Sequence, residues 1–399
     1  MRTKDPGLPR LILHRARDTR LRRGHLWVYA GEVARAEEGA AAGEAIDIVD
    51  HRGRFLARGY YNPSSSIVAR VLTRRRDEPV DASLLRRRIA EAVAARRQFY
   101  ATGDACRMVF GEGDLLPGLT VDRYGAWLTV QIGTLFMDRR REAIVEGLLD
   151  TLHPRGIYER SDVAVRAHEG LEPRTGLLAG EVPEEIDLTI DGLRFLVRPR
   201  AGQKTGLYLD HRFNRRLARE LARGRRVLDM FCNTGAFSLY ALAGGAENAT
   251  AVDTSGECLD LARRNAAANG FEGRMTLVEG NAFDLLRDLD ARGEKFSMLV
   301  LDPPAFTKSA AAKGAAVRGY KEINLRAFRL AAPGAILITA SCSYHLGPEE
   351  FLEVVREAAA DAGREATLLE LRGQAPDHPI HLAVPETRYL KCAVLQVRG

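Results

Sequence analysis

The sequence predicts an α/β protein in three parts. These are a small β-barrel over residues 1–75, a linker helix with a small α+β unit over 76–190, and a Rossmann-like doubly wound sheet over 191–399. Three observations predict this. Short apolar runs broken by glycine fill the first 75 residues, apolar spacing turns helical at 81–101, and strands alternate with helices from 227 onward. A chain of 399 residues also exceeds what one ordinary core organises.

Each element follows in order. Residues 11–13, 45–49 and 67–72 read as strands, separated by Gly24, Gly31, Gly43, Gly53 and Asn62-Pro63. Leu84, Leu85, Ile89, Val93 and Phe99 then recur at helical spacing among arginines. Residues 111–118 form a glycine-rich turn, followed by strands at 119–124 and 126–133, a helix at 139–151, and strands at 156–160 and 186–190. Beyond Asp191, strands are expected at 227–231, 249–253, 275–279, 298–302 and 335–341, with helices at 236–243 and 257–269. That alternation implies a parallel sheet. The Ala/Gly-rich stretch 309–316 reads as a mobile loop.

Composition narrows the function classes. No apolar run approaches the roughly 18 residues of a membrane span, and the polar, basic start does not read as a secretory signal. Cysteines 106, 232, 258, 342 and 392 are scattered without a C-x-x-C pair, so neither a zinc site nor a disulfide framework is expected. A reduced, cytoplasmic protein without a bound metal follows. The net charge of +6 is uneven: residues 1–100 carry a basic surplus of nine, leaving the other 299 residues at −3. A polyanion-binding module joined to a near-neutral enzyme fits this pattern, with solvated surface arginines as the plainer alternative.

The chemistry gathers at strand ends. In doubly wound sheets ligands bind beyond the carboxyl ends of the strands. Asp229 ends the first such strand, and Phe231, Asn233 and Gly235 shape the turn after it. Asp253 ends the second strand, where a carboxylate can accept both hydroxyls of a ribose. A dinucleotide site would want G-x-G-x-x-G for its pyrophosphate. Only Gly235 is present, so a nucleoside cofactor without phosphate fits better, and S-adenosylmethionine is such a cofactor. Acids that merely cap turns are the structural alternative. After the third strand, Asn281 and Ala282 are placed to contact an adenine, with Phe283 to cover its face. Asp302, Pro303, Pro304 and Phe306 end the fourth strand as a rigid extended turn, able to hold a carboxylate and an aromatic face against a flat base. Cys342 follows the fifth strand. A thiolate there could add to carbon 6 of a cytosine and make carbon 5 nucleophilic, which is covalent catalysis. Asp302 would then meet ring N3 or the exocyclic amine. The base that removes the carbon-5 proton is not identifiable, although His345 lies close in sequence.

At these motifs the chain resembles the bacterial 23S rRNA cytosine-C5 methyltransferases of the large-subunit methyltransferase I type. The resemblance rests on residues 111–124 (GEGDLLPGLTVDRY), 203–212 (QKTGLYLDHR), 229–237 (DMFCNTGAF), 302–306 (DPPAF) and 341–343 (SCS), and it covers essentially the whole chain. It implies an N-terminal PUA-like RNA-binding domain, a small middle domain and a C-terminal class I methyltransferase domain. It further implies S-adenosylmethionine as cofactor, 23S rRNA as partner, 5-methylcytosine as product and a homodimer. By resemblance Gln203, Lys204, Thr205, Tyr208, Asp210 and Arg212 line the cofactor pocket. Asn281 replaces the aspartate common at its position, and Ala305 stands where a second cysteine occurs in RNA cytosine-C5 enzymes of another type. A guanine-N7 rRNA methyltransferase of related architecture is the nearest alternative, and it would not need Cys342. A nonenzymatic RNA-binding assembly factor and an NAD-dependent dehydrogenase are the others.

Overall fold

The computed structural model describes residues 7–101, 103–201, 206–306 and 313–398. They form two compact units.

The first unit comprises Met1–Ile186, Val197–Leu207 and Pro376–Thr387. Its opening sheet holds β1 (Arg10–Leu13), β2 (Trp27–Tyr29), β3 (Val33–Ala36), β4 (Glu44–Val49), β5 (Phe55–Tyr61) and β6 (Ile67–Thr73), with the short α1 (Thr19–Arg22) between β1 and β2. The order is β2-β6-β5-β4-β1-β3. Alternate apolar side chains such as Leu11, Leu13, Ile46, Ile48 and Val71 point to one core, which Val384 from the C-terminal segment completes. The helix α2 (Ala82–Arg96) follows, capped by the Asp81 carboxylate, which accepts from the Ser83 and Leu84 amides. A second sheet takes β7 (Cys106–Phe110), β8 (Leu119–Tyr124), β9 (Trp127–Ile132), β10 (Gly156–Ser161) and β11 (Arg174–Gly180), with α3 (Leu135–Arg139) and α4 (Arg141–Leu152) between β9 and β10. The two sheets are stitched by buried polar contacts. Arg70 of β6 donates to Glu169 at 2.6 Å, and the Asn62 amide reaches the same carboxylate at 3.0 Å.

The hairpin of β12 (Ile186–Ile190) and β13 (Leu193–Val197) leads to the second unit, which comprises Asp187–Leu196, Tyr208–Ala375 and Arg388–Gly399. Its elements run α5 (Arg212–Leu221), β14 (Arg226–Met230), α6 (Ala236–Ala243), β15 (Asn248–Asp253), α7 (Gly256–Ala268), β16 (Met275–Glu279), α8 (Ala282–Ala291), β17 (Phe296–Leu301), α9 (Lys313–Leu330), β18 (Ala331–Ser341), α10 (Pro348–Asp361), β19 (Ala366–Arg372) and β20 (Lys391–Val397). The sheet order is β16-β15-β14-β17-β18-β20-β19. The first five strands are parallel, and the central β14, β17 and β18 are largely buried, as strands covered on both faces must be. The chain leaves β14 to one side and returns as β17 on its other side. That reversal opens a crevice beyond the carboxyl ends of β14 and β17.

The expected α/β class holds, with three local corrections. The doubly wound sheet is not wholly parallel, because β20 runs antiparallel to β18 and β19 antiparallel to β20. Strand β14 stops at Met230, since Phe231 takes a left-handed φ of 62° that no strand accommodates. Residues 313–316 are not loop but the first turn of α9, where Ala316 is buried against the core. No helix among the described residues is long and apolar enough to cross a membrane.

Candidate active site

The turn after β14 is built from alternating left-handed residues: Phe231 at φ 62°, Asn233 at 50° and Gly235 at 77°. Only glycine takes such angles without strain, and at Gly235 a Cβ would also stand 3.1 Å from the Ala262 Cβ. Asp229 is buried beneath this turn. Its Oδ2 accepts from the Ser238 amide at 3.0 Å and hydroxyl at 2.7 Å. Its Oδ1 has no hydrogen-bond partner among the described residues. Burial pushes its carboxyl up to about 7 against the opposing Ser238 hydrogen bonds, and the charge of Asp302 adds to the rise.

Asp253 meets the same turn from β15. Its Oδ2 accepts the Asn233 amide at 2.9 Å and its Oδ1 the Ser255 amide at 3.0 Å. Each oxygen retains a second lone pair, so a ribose can still be received there. Asn281 caps α8, accepting from the Phe283 amide at 2.9 Å. Ala282 is buried behind it. The Phe306 ring stands 5.8 Å from Phe283, 6.4 Å from Phe231 and 4.6 Å from Tyr320. These rings make one aromatic wall across the ends of β14, β16 and β17. An orphaned buried carboxylate oxygen, a turn that excludes a Cβ and a ribose-height acid suit a nucleoside cofactor.

Of the residues in the 203–212 motif, Gln203, Lys204 and Thr205 lie outside the described residues. Asp210 accepts a 2.6 Å hydrogen bond from the Tyr389 hydroxyl. The Tyr208 hydroxyl is pushed up to about 12 by burial and by the negative charges of Asp210, Asp302 and Cys342. Arg212 opens α5. It pairs with Asp191 at 2.7 Å, beside Arg216 and the Tyr240 hydroxyl. Asp191 is held well below the usual carboxylate range by those partners, chiefly Arg216 and Arg212, against its own burial.

The opposite wall carries the thiol. Leu301 of β17 pairs in register with Thr339 of β18, so Asp302 and Cys342 leave neighbouring strands at the same edge. The Cys342 sulfhydryl points to the Pro303 carbonyl at 3.9 Å. Pro303 is buried, while Pro304 is exposed. All five cysteines are thiols, and only Cys342 is more than slightly accessible. The others keep to packing, as small apolar side chains do.

Two neighbours escaped the sequence reading. Lys391 pairs in register with Ser341 and sends its ammonium to the Ser343 carbonyl at 2.7 Å and the Tyr389 carbonyl at 2.9 Å. Burial pulls it down to about 8, and the nearby Cys342 charge opposes that. His211 is buried with Nε2 3.2 Å from Asp302 Oδ1. Lys391 carries no local signal, and nothing in the 203–212 motif that holds His211 names its partner. Lys391 sits in an apolar strand at the far end of the chain, and His211 lies 91 positions before the acid it meets. The turn residue His345 packs its ring on exposed Tyr344 at 5.3 Å.

Comparison with known proteins agrees with this geometry. A family model described as S-adenosylmethionine-dependent methyltransferase matches residues 160–380, and one described as PUA-like domain matches 11–74. A protein of Klebsiella pneumoniae named ribosomal RNA large subunit methyltransferase I is 42% identical over 391 residues, covering 97% of this chain and 98% of its own. Proteins of the same name from Tolumonas auensis and Aeromonas hydrophila are 44% and 43% identical, over 97% of this chain and 98% and 99% of theirs. Among solved structures, a SAM-dependent methyltransferase of Streptococcus mutans superposes with a TM-score of 0.84 at 20% identity, over 97% of this chain and 99% of its own. A methyltransferase complexed with SAH gives 0.85 at 20% identity and the same coverage. At that identity the two structures speak to the fold alone. The chain therefore belongs to the S-adenosylmethionine-dependent methyltransferases, in the family whose curated members are named ribosomal RNA large subunit methyltransferase I.

Proposed function

We propose that the chain methylates carbon 5 of a cytosine in large-subunit ribosomal RNA, through a covalent adduct on Cys342. The observation that carries this reading is the Cys342 sulfhydryl 3.9 Å from the Pro303 carbonyl, which sets a thiol against the Asp302 turn. A guanine-N7 enzyme has no use for that thiol. Bound S-adenosylmethionine supplies an electrophilic methyl group. Asp253 holds the ribose, Asn281 and Ala282 meet the adenine, and the turn of Phe231, Asn233 and Gly235 receives the remainder, with Asp229, Tyr208 and Asp210 lining it. Pro303, Pro304 and Phe306 support a base turned out of its stack.

The Cys342 thiolate attacks carbon 6. A sulfur–carbon bond forms, and the electrons of the 5,6 double bond make carbon 5 nucleophilic. Asp302 meets N3 or the exocyclic amine as charge develops there. After carbon 5 gains the methyl group, a base takes its proton, the double bond re-forms and the thiolate leaves. The Lys391 ammonium, bonded to the carbonyl next to Cys342, favours the anionic sulfur.

The test is direct. Cys342→Ala and Cys342→Ser should both abolish methylation while keeping cofactor affinity in calorimetry. RNA with 5-fluorocytosine at the target should form a denaturation-resistant adduct with the wild type, mapping to the Cys342 peptide, because fluorine does not leave as a proton does. Substantial methylation by Cys342→Ala, or a methylguanine product, rejects the cytosine-C5 reading in favour of guanine-N7.

A further inference from the structure

We propose that His211 is a positioning residue for Asp302. The inference rests on the reading of Asp302 as the acid that meets the base. His211 stands at the N-terminal end of α5, 3% exposed, with its ring edge-on to Phe237 at 5.4 Å. Its proton can be placed from its neighbours. Arg372 of β19 directs Nε to the side-chain oxygen of Asn214 at 3.0 Å. Arginine offers only donors, so the atom facing it must be Oδ1, and the Asn214 amide nitrogen faces the other way. That nitrogen reaches the Gly373 carbonyl at 3.2 Å and His211 Nδ1 at 3.0 Å. An amide nitrogen is a donor, so Nδ1 must accept and the ring proton sits on Nε2.

Nε2 lies 3.2 Å from Asp302 Oδ1. The pair is near enough for a hydrogen bond but not aligned for one, and His211 Nε2 has no other partner among the described residues. The Asp302 side chain is 27% exposed against 4% for the histidine, so the acid is the partner free to turn. A small rotation of Asp302 aligns the bond, as is usual for groups that tighten when a substrate is bound. Once aligned, His211 holds Oδ1 and leaves Oδ2 to the base. The chain Arg372–Asn214–His211–Asp302 thus sets the plane of the carboxylate from an arginine on β19 that is itself held by Glu370.

Two substitutions separate positioning from packing. His211→Met fills similar volume without a donor, while His211→Gln restores an N–H near the Nε2 position. With a target RNA fragment and S-adenosylmethionine, His211→Met should lower kcat by about 10- to 100-fold, with the RNA KM and the cofactor Kd within about twofold of wild type. His211→Gln should recover most of that kcat. Equal kcat in the Met and Gln variants, whether at the wild-type or a reduced level, overturns the proposal, because a role in packing does not depend on the donor. Cys342→Ala and Asp302→Asn in the same assay test the underlying reading separately. Full activity of Cys342→Ala removes the cytosine adduct, and full activity of Asp302→Asn removes the acid's role at the base, whatever His211 does.

Discussion

Asp229 shows how one side chain couples the fold to the site. Burial raises its carboxyl from 3.8 to about 7. Between those values the native carboxyl keeps a proton that the unfolded chain has lost. The stability this group contributes is therefore fully present below about pH 4 and is lost as pH rises through about 7. Asp229→Asn keeps the shape and cannot ionise. The ligand-free variant should be more stable than wild type at pH 8, by up to about 4 kcal/mol for a shift of this size in a fully buried group. The gap should close toward pH 4. Chemical denaturation at a series of pH values reads this directly, and a gap that does not vary with pH would show that Asp229 ionises freely in the fold. The same substitution should weaken cofactor binding if Asp229 Oδ1 faces the ligand, giving stability and function opposite signs at one residue.

At the scale of elements, the turn joining β14 to α6 carries the greatest local constraint. Gly235→Ala places a Cβ at φ 77° and 3.1 Å from Ala262. The left-handed penalty alone is roughly 1–2 kcal/mol. A lower melting temperature and a weaker S-adenosylmethionine Kd should appear together, and wild-type values for both would mean the turn relaxes at no cost. This turn was legible in the sequence because strand, acid, glycine and helix follow each other within ten residues. The five parallel strands were legible for a similar reason: their apolar runs are local, and four of them end at or beside an acid. Other elements were not. Strands β2 and β3 have three and four residues and are half-exposed, too short to show a period. Helix α5 is so rich in arginine that its apolar stripe is thin. Strands β19 and β20 complete the sheet antiparallel, and their pairing is a long-range choice. Between them, residues 376–387 leave the second unit and join the first, where the Asp377 carboxylate accepts from the Arg107 amide at 2.9 Å and the Asp377 carbonyl accepts from the Arg96 guanidinium at 2.8 Å. No feature of that segment, read alone, announces the excursion. The His211 contact with Asp302 was hidden for the same reason.

For the whole molecule, the governing quantity is the distribution of charge. The basic surplus lies in residues 1–100, and Arg15, Arg17 and Arg23 of the β1–β2 connection are all exposed. If the PUA-like sheet binds RNA through phosphates, affinity should fall steeply with salt, each contact adding roughly 0.7–0.9 to the slope of log K against log salt. Removing residues 1–75 is a poor test. It would strip Arg70 and Asn62 from the buried Glu169, and an uncompensated buried charge costs about 3–5 kcal/mol. The exposed arginines offer a cleaner one. Replacing Arg15, Arg17 and Arg23 together by Ala touches no buried side chain, so the fold should survive. RNA binding measured from low to moderate salt should lose about 2–3 from its slope. Methylation should show a raised RNA KM with an unchanged kcat at saturation, and calorimetry an unchanged cofactor Kd. An unaltered salt slope would mean these arginines are merely solvated, and the RNA contacts would have to be sought elsewhere on the chain.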